Sequence, residues 1–163
     1  MEIKEVMKKL ENKKSNELII GGCGLQEWRK GPDYFLKVAK YCSEHLGRDS
    51  IKFIWIGAEG GYSLQLKYEQ QKLEITDLVE FIGQVKNPEE YFIKMDLFIL
   101  TSREDPFPLV VLEAASFGIP IICFNGVGDI QNFVKVIPEN IIPYGMAEIM
   151  AERICWYVKN REY

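Results

Sequence analysis

Two stretches of this sequence hold residue types that together can grip a phosphorylated ligand. The first, GGCGLQEWRKGPDYF at residues 21–35, follows an apolar run with glycines and sets Arg29, Lys30 and Gly31 immediately before a helix opened by Pro32. Glycine lets a backbone approach its ligand closely, and cations at a helix N-terminus add to the positive end of the helix dipole. Gly22, Gly24, Arg29 and Lys30 are therefore candidates for a phosphate cradle. Their spacing matches neither the dinucleotide GxGxxG fingerprint nor a P-loop, so a structural turn also fits them. The second stretch, TSREDPFPLVVLEAASFGIPII at residues 101–122, separates Asp105 from Glu113 by seven residues around a Pro-Phe-Pro turn and a helix start.

Other chemistries find less to work with. A carboxylate pair can serve hydrolysis only when its members stand about 5–10 Å apart across the scissile bond, a distance that sequence spacing does not establish. Read singly, Asp105 is a charge near a helix start and Glu113 an exposed helix residue. His45 is the only histidine and falls late in a helical stretch, where a cation suits the helix end. The histidine and the four cysteines are scattered and the acids show no repeated ligand spacing, so no metal site is expected. Cys23, Cys42, Cys123 and Cys155 lack CxxC spacing and read as buried free thiols. Trp55 and Trp156 read as packing residues, while Trp28 beside Arg29 fits either packing or stacking on a ligand.

The elements that must position these residues follow from periodicity. Apolar runs at Glu17–Gly22, Lys52–Gly57, Val79–Gly83, Leu97–Leu100 and Pro120–Phe124 read as buried strands. Helices are expected between and after them, at Pro32–Leu46, Tyr62–Leu73, Pro88–Met95, Leu109–Phe117 and Met146–Lys159. Strands apolar on both faces, alternating with helices, pair in parallel through right-handed crossovers. The expectation is a Rossmann-like, doubly wound α/β fold of three layers, with ligands bound beyond the carboxyl ends of the strands. Residues 1–16 put Ile3, Val6, Met7 and Leu10 on one helical stripe, a lead-in helix or hinge before a domain at 17–163.

Composition narrows the function classes. At 163 residues, 47% hydrophobic and 27% charged, one soluble domain with one core is expected. Twenty basic against 24 acidic side chains give a formal charge of −4, which argues against nucleic acid as a partner. The charged N-terminal residues hold no signal-peptide core, and the uncharged stretch Ala114–Phe124 is too short to span a bilayer. A cytoplasmic protein is expected, with any membrane association arising through parts outside this chain.

The Asp105–Glu113 block resembles the donor-binding C-terminal domain of family 4 retaining glycosyltransferases, one half of a GT-B architecture. Further similar blocks are RKGPDYFL at residues 29–36, FIWIGAEGG at 53–61, LVEFIGQV at 78–85 and IPYGMAEIMAE at 142–152, so the resemblance covers nearly the whole chain. It implies that Lys30 grips the donor diphosphate and neutralises charge growing on the leaving group. It further implies that Glu113 accepts hydrogen bonds from the ribose hydroxyls and that Asp105 lies near the donor sugar. Amides of Phe107, Leu109 and Val110 would face sugar and phosphate, because the first N–H groups of a helix lack internal partners. Pro108 stands where glycine is common, which removes one donor and stiffens the turn. Gly83, Gln84 and Val85 would frame the nucleobase, and Gly57 with its neighbours Ala58 and Glu59 would lie on the donor side of the second strand.

The activity so implied is hexosyl transfer from a nucleoside-diphosphate sugar, such as a UDP- or GDP-sugar, in glycan or polysaccharide biosynthesis, with no cofactor and no metal. The acceptor site would belong to an N-terminal domain for which this chain has no room, so the chain alone would transfer little sugar. A non-enzymatic nucleotide-binding module and half of a sugar-nucleotide epimerase share the same plan. A receiver-type module would need an acidic cluster after the first strand, where this chain has glycines.

Overall fold

The computed structural model describes residues 17–160, so the expected lead-in helix at 1–16 lies outside the described residues. The apolar runs form β1 (Leu18–Cys23), β2 (Ile51–Ile56), β3 (Val79–Gly83), β4 (Leu97–Leu100) and β5 (Ile121–Phe124), joined by a two-residue β6 (Ile141–Ile142). They pair in parallel in the order β3-β2-β1-β4-β5-β6. The helices are α1 (Pro32–Leu46), α2 (Ser63–Lys72), α3 (Glu89–Phe92), α4 (Leu109–Ser116), α5 (Ile130–Val134) and α6 (Ala147–Lys159). Winding runs outward from β1 to β3, then crosses back to β4 and proceeds the other way, so β1 and β4 flank the switch point of a Rossmann-like sheet.

The sheet carries a layer of helices on each face because its strand side chains alternate. Ile20, Phe53, Trp55, Ile99 and Phe124 point into one core with α1, α2 and α6. Ile54, Ile56, Phe98, Leu100 and Cys123 point into the other with α3, α4 and α5. Neighbouring side chains on a strand face opposite sides, so a run buried throughout feeds both layers.

Three departures from the sequence expectations have local causes. β6 and α5 were not expected, and at two and five residues both are shorter than a readable period. The helix expected over Pro88–Met95 closes after Phe92 in single turns that bring Asp96 to the Ile19 amide, 2.8 Å from its carboxylate. Cys42, Cys123 and Cys155 are buried free thiols as expected, but Cys23, at the end of β1, is only partly buried.

Candidate functional site

The carboxyl ends of β1 and β4 carry the two loops singled out in the sequence, and the loops are fastened to each other. After β1 the chain makes a short 3-10 turn over Trp28–Lys30 and enters α1 through Gly31, whose φ of 67° lies in the left-handed region. A β-carbon on Gly31 would stand 1.9 Å from the Thr101 carbonyl oxygen, so only glycine permits this approach. Thr101 Oγ1 in turn donates to the Gly31 carbonyl at 2.9 Å, and the Arg103 amide donates to the Arg29 carbonyl at 2.8 Å.

A buried ion pair reinforces this seam. Arg103 makes a two-pronged contact with Asp33, both bonds 2.7 Å, and a third bond of 2.6 Å to the Trp28 carbonyl. Its guanidinium also lies over the Trp28 and Tyr34 rings, 4.4 and 4.5 Å from their centroids. One side chain from the β4 loop thus holds the β1 loop and the first turn of α1 in place. Sequence reasoning missed Arg103 and Asp33 because opposite charges seventy residues apart carry no pairing signal. Trp28 remains more than half exposed on the rim, consistent with neither pure core packing nor a fully free platform.

Lys30 and Asp105 meet across the switch point. Lys30 Nζ stands 2.5 Å from Asp105 Oδ2, with the carboxylate side chain 8% exposed and the lysine 21%. The Ser102 hydroxyl lies 3.4 Å from the same carboxylate oxygen, and the Asp105 amide donates to the Val127 carbonyl at 3.0 Å. Arg29 points instead toward the Glu104 carbonyl, 3.5 Å away, so the two expected cations are not equivalent. Glu113, on α4, is exposed.

Cys23 reports how these charges are arranged. Burial pushes its thiol up to about 11, the negative charge of Glu113 adds to the rise, and the positive charge of Lys30 opposes it. Lys30 and Glu113 therefore both act on the sulfur at the tip of β1.

Backbone donors sit close by. α4 begins after Pro108 with no side-chain cap, leaving the first-turn amides of Leu109 and Val110 for an outside acceptor. Phe107 and Leu109 are exposed and Pro108 is buried. The loops after β2 and β3 continue the same edge: the Gly57 amide donates to the Gly83 carbonyl at 3.0 Å, and exposed Gln84 and half-buried Val85 follow. Gly57 also approaches the Gly24 carbonyl so closely that a β-carbon would lie 2.0 Å from it. The Trp55 indole donates to that same Gly24 carbonyl at 2.8 Å.

Gly22 behaves differently from the cradle expected of it. It lies inside β1, where a β-carbon would meet Phe35 and Trp55 at 2.8 Å, so its small size serves packing under the loop. Gly24, beyond the strand, is the glycine that borders Lys30.

An edge carrying a lysine, an uncapped helix start and two carboxylates can hold an anion together with hydroxyl groups. Among the described residues, no group of three or more His, Cys, Asp or Glu side chains is arranged to hold a metal ion. Nor is any described helix long and apolar enough to cross a membrane.

Comparison with known proteins agrees with this architecture. The chain is 29% identical over 150 residues to an alpha-galactosylglucosyldiacylglycerol synthase of Streptococcus pneumoniae, covering 89% of this chain and 37% of that protein. It is 32% identical over 106 residues to an uncharacterized glycosyltransferase of Haemophilus influenzae, covering 65% of this chain and 29% of the relative. Among solved structures, Anabaena HepE in complex with UDP and glucose superposes with a TM-score of 0.81 at 18% identity, over 99% of this chain and 44% of its own. TarM of S. aureus, in complex with UDP among other ligands, gives 0.78 at 20% identity, over 90% of this chain and 29% of its own. The chain thus spans 29–44% of the length of these proteins, and at such identities the structural likeness concerns the fold of GT-B glycosyltransferases. A model of the family described as glycosyl transferases group 1 matches residues 3–163, and the chain belongs to that family.

Proposed function

We propose that this chain is the donor-binding domain of a retaining glycosyltransferase that takes a hexosyl group from a nucleoside-diphosphate sugar. The observation that carries this reading is the meeting of Lys30 and Asp105 at the β1/β4 switch point, beside the uncapped start of α4 and with Glu113 on that helix. Neighbouring strands lie about 4.8 Å apart, so the ends of β3, β2, β1 and β4 span roughly 14 Å, room for a nucleoside diphosphate laid along the edge.

In this reading the base lies against Gly83, Gln84 and Val85, and Glu113 accepts from the ribose hydroxyls. The diphosphate meets Lys30 and the amides of Phe107, Leu109 and Val110. As the glycosidic bond breaks, negative charge gathers on the leaving diphosphate, where the lysine and the helix start stabilise it most. This assigns leaving-group stabilisation to a cation and backbone dipoles rather than to a metal ion. Asp105, released from Lys30 by the incoming phosphate, is then free to accept from a donor-sugar hydroxyl. The acceptor belongs to a further domain of the kind that the longer relatives have room for, so the chain alone binds nucleotide and transfers little sugar. A cytoplasmic setting fits a nucleotide-sugar donor.

Titration calorimetry with UDP, GDP and ADP tests the reading, with UDP first because HepE and TarM are described with it. Losing one charge-assisted contact costs about 1.5–3 kcal/mol, so Lys30→Ala should weaken binding roughly ten- to hundred-fold. Equal affinity in the variant, or no binding of any nucleotide by the parent chain, would falsify the assignment.

A further inference from the structure

Away from the strand ends, two cysteines from different helices meet beside an open cavity. Cys42 on α1 is fully buried, and its thiol lies 3.9 Å from the Ala151 carbonyl on α6. That carbonyl belongs to the helical turn whose next amide partner is Cys155, so the two sulfurs share one turn of the α1–α6 interface. Each sulfur is among the groups that act on the other's thiol, so the two side chains are neighbours across that interface. Cys155 is 9% exposed and lines a cavity of about 590 Å³ walled by the last turns of α1 and one face of α6. The charged and titratable groups around it are Tyr41, Glu44 and His45 from α1, with Glu148, Glu152 and Lys159 from α6.

We propose that Cys155 is a thiol–disulfide exchange site, taking low-molecular-weight disulfides from the cavity, and that Cys42 is its resolving partner. The Cys155 thiolate attacks one sulfur of the small disulfide RSSR, forming a mixed disulfide and releasing RS⁻. Cys42 then gives up its proton and attacks the Cys155 sulfur, expelling the second RS⁻ and closing a Cys42–Cys155 bond. Both protein thiols are oxidised, one RSSR is reduced, and the two thiolates leave as RSH with the two protons released.

The four cysteines differ in the respect that such chemistry requires. The neighbouring Cys42 thiol, with positive charge from His45 and Lys159, brings the Cys155 thiol down to about 7 against the opposing effect of burial. Burial, and then the Cys155 sulfur, holds Cys42 well above the ordinary range. Burial likewise pushes Cys23 and Cys123 up to about 11. Near neutral pH the nucleophilic thiolate is therefore concentrated on Cys155, the cysteine beside the cavity, while Cys42 waits as a thiol. A pair with unequal thiols, one at the cavity wall and one behind it, favours resolution over a lasting adduct.

The test is incubation of the chain with oxidised glutathione, followed by intact mass and peptide mapping. The expected product has lost two hydrogens and contains a Cys42–Cys155 peptide, with Cys23 and Cys123 still free. Formation should accelerate as pH rises through about 7. Cys42→Ser should instead accumulate a glutathione adduct on Cys155, and Cys155→Ser should leave Cys42 unmodified. A glutathione adduct persisting on Cys155 in the parent chain would overturn the resolving role. Unreacted Cys155 in the folded parent chain, when the same chain in urea reacts at all four thiols, would overturn the site itself. The parent-chain measurements decide the matter even where a serine variant folds poorly.

Discussion

Removing the Arg103 guanidinium tests whether the seam between the two loops depends on it. Arg103 and Asp33 are 10% and 7% exposed, and both carboxylate oxygens are occupied at 2.7 Å. In Arg103→Met the apolar stem stays, but Asp33 is left buried without its partner, a situation that costs about 3–5 kcal/mol. A domain of this size is stable by about 5–15 kcal/mol, so the variant should fold yet lose a large share of its margin. Each kcal/mol lowers Tm by roughly 2–4 °C at this length, which gives a fall of about 6–20 °C. The double variant Arg103→Met/Asp33→Leu strands no charge and should regain much of the loss. A small deficit should remain, because Asp33 also sits in the first turn of α1, where an acid contributes about 0.3–1 kcal/mol. Urea denaturation of the parent, both single variants and the double variant measures the coupling directly. Additive losses, with the double variant worse than either single one, would refute the claim that the two residues act as a pair.

Further outcomes follow from single contacts. Gly31→Ala should destabilise by more than the roughly 1–2 kcal/mol of a left-handed alanine, because its β-carbon also strikes the Thr101 carbonyl; a loss in urea denaturation no larger than that amount would contradict the loop contact. Trp55→Phe leaves the Gly24 carbonyl without its indole donor and should cost about 1–3 kcal/mol in chemical denaturation. Asp105→Asn frees Lys30 from its carboxylate, so UDP alone should bind several-fold more tightly, the opposite sign to Lys30→Ala in the same calorimeter. Iodoacetamide at pH 8 should leave Cys23 and Cys123 unmodified in the folded chain, since both thiols are raised to about 11 and yield thiolate only as the pH climbs toward that value; peptide mapping reads the outcome.

What the sequence made legible was whatever repeats with a period or stands within one segment. Among the described residues, five of six strands emerged from continuous apolar runs, because a strand covered on both faces needs no alternation to show itself. Asp105 and Glu113 could be read as a unit because seven residues of turn and helix connect them. The contacts that assemble the site join residues 70 and 75 positions apart, Asp33 to Arg103 and Lys30 to Asp105. No local pattern encodes such a pair; the parallel order that sets β4 beside β1 creates it. The glycines show the same division. Gly24 answers to Lys30 in the loop in which it sits, but Gly21, Gly22 and Gly31 answer to Met95, Phe35, Trp55 and Thr101, which reach them from other elements. A glycine run after an apolar stretch therefore states only that something approaches closely. Whether that something is a ligand or a side chain from the core is decided by which strand lies alongside.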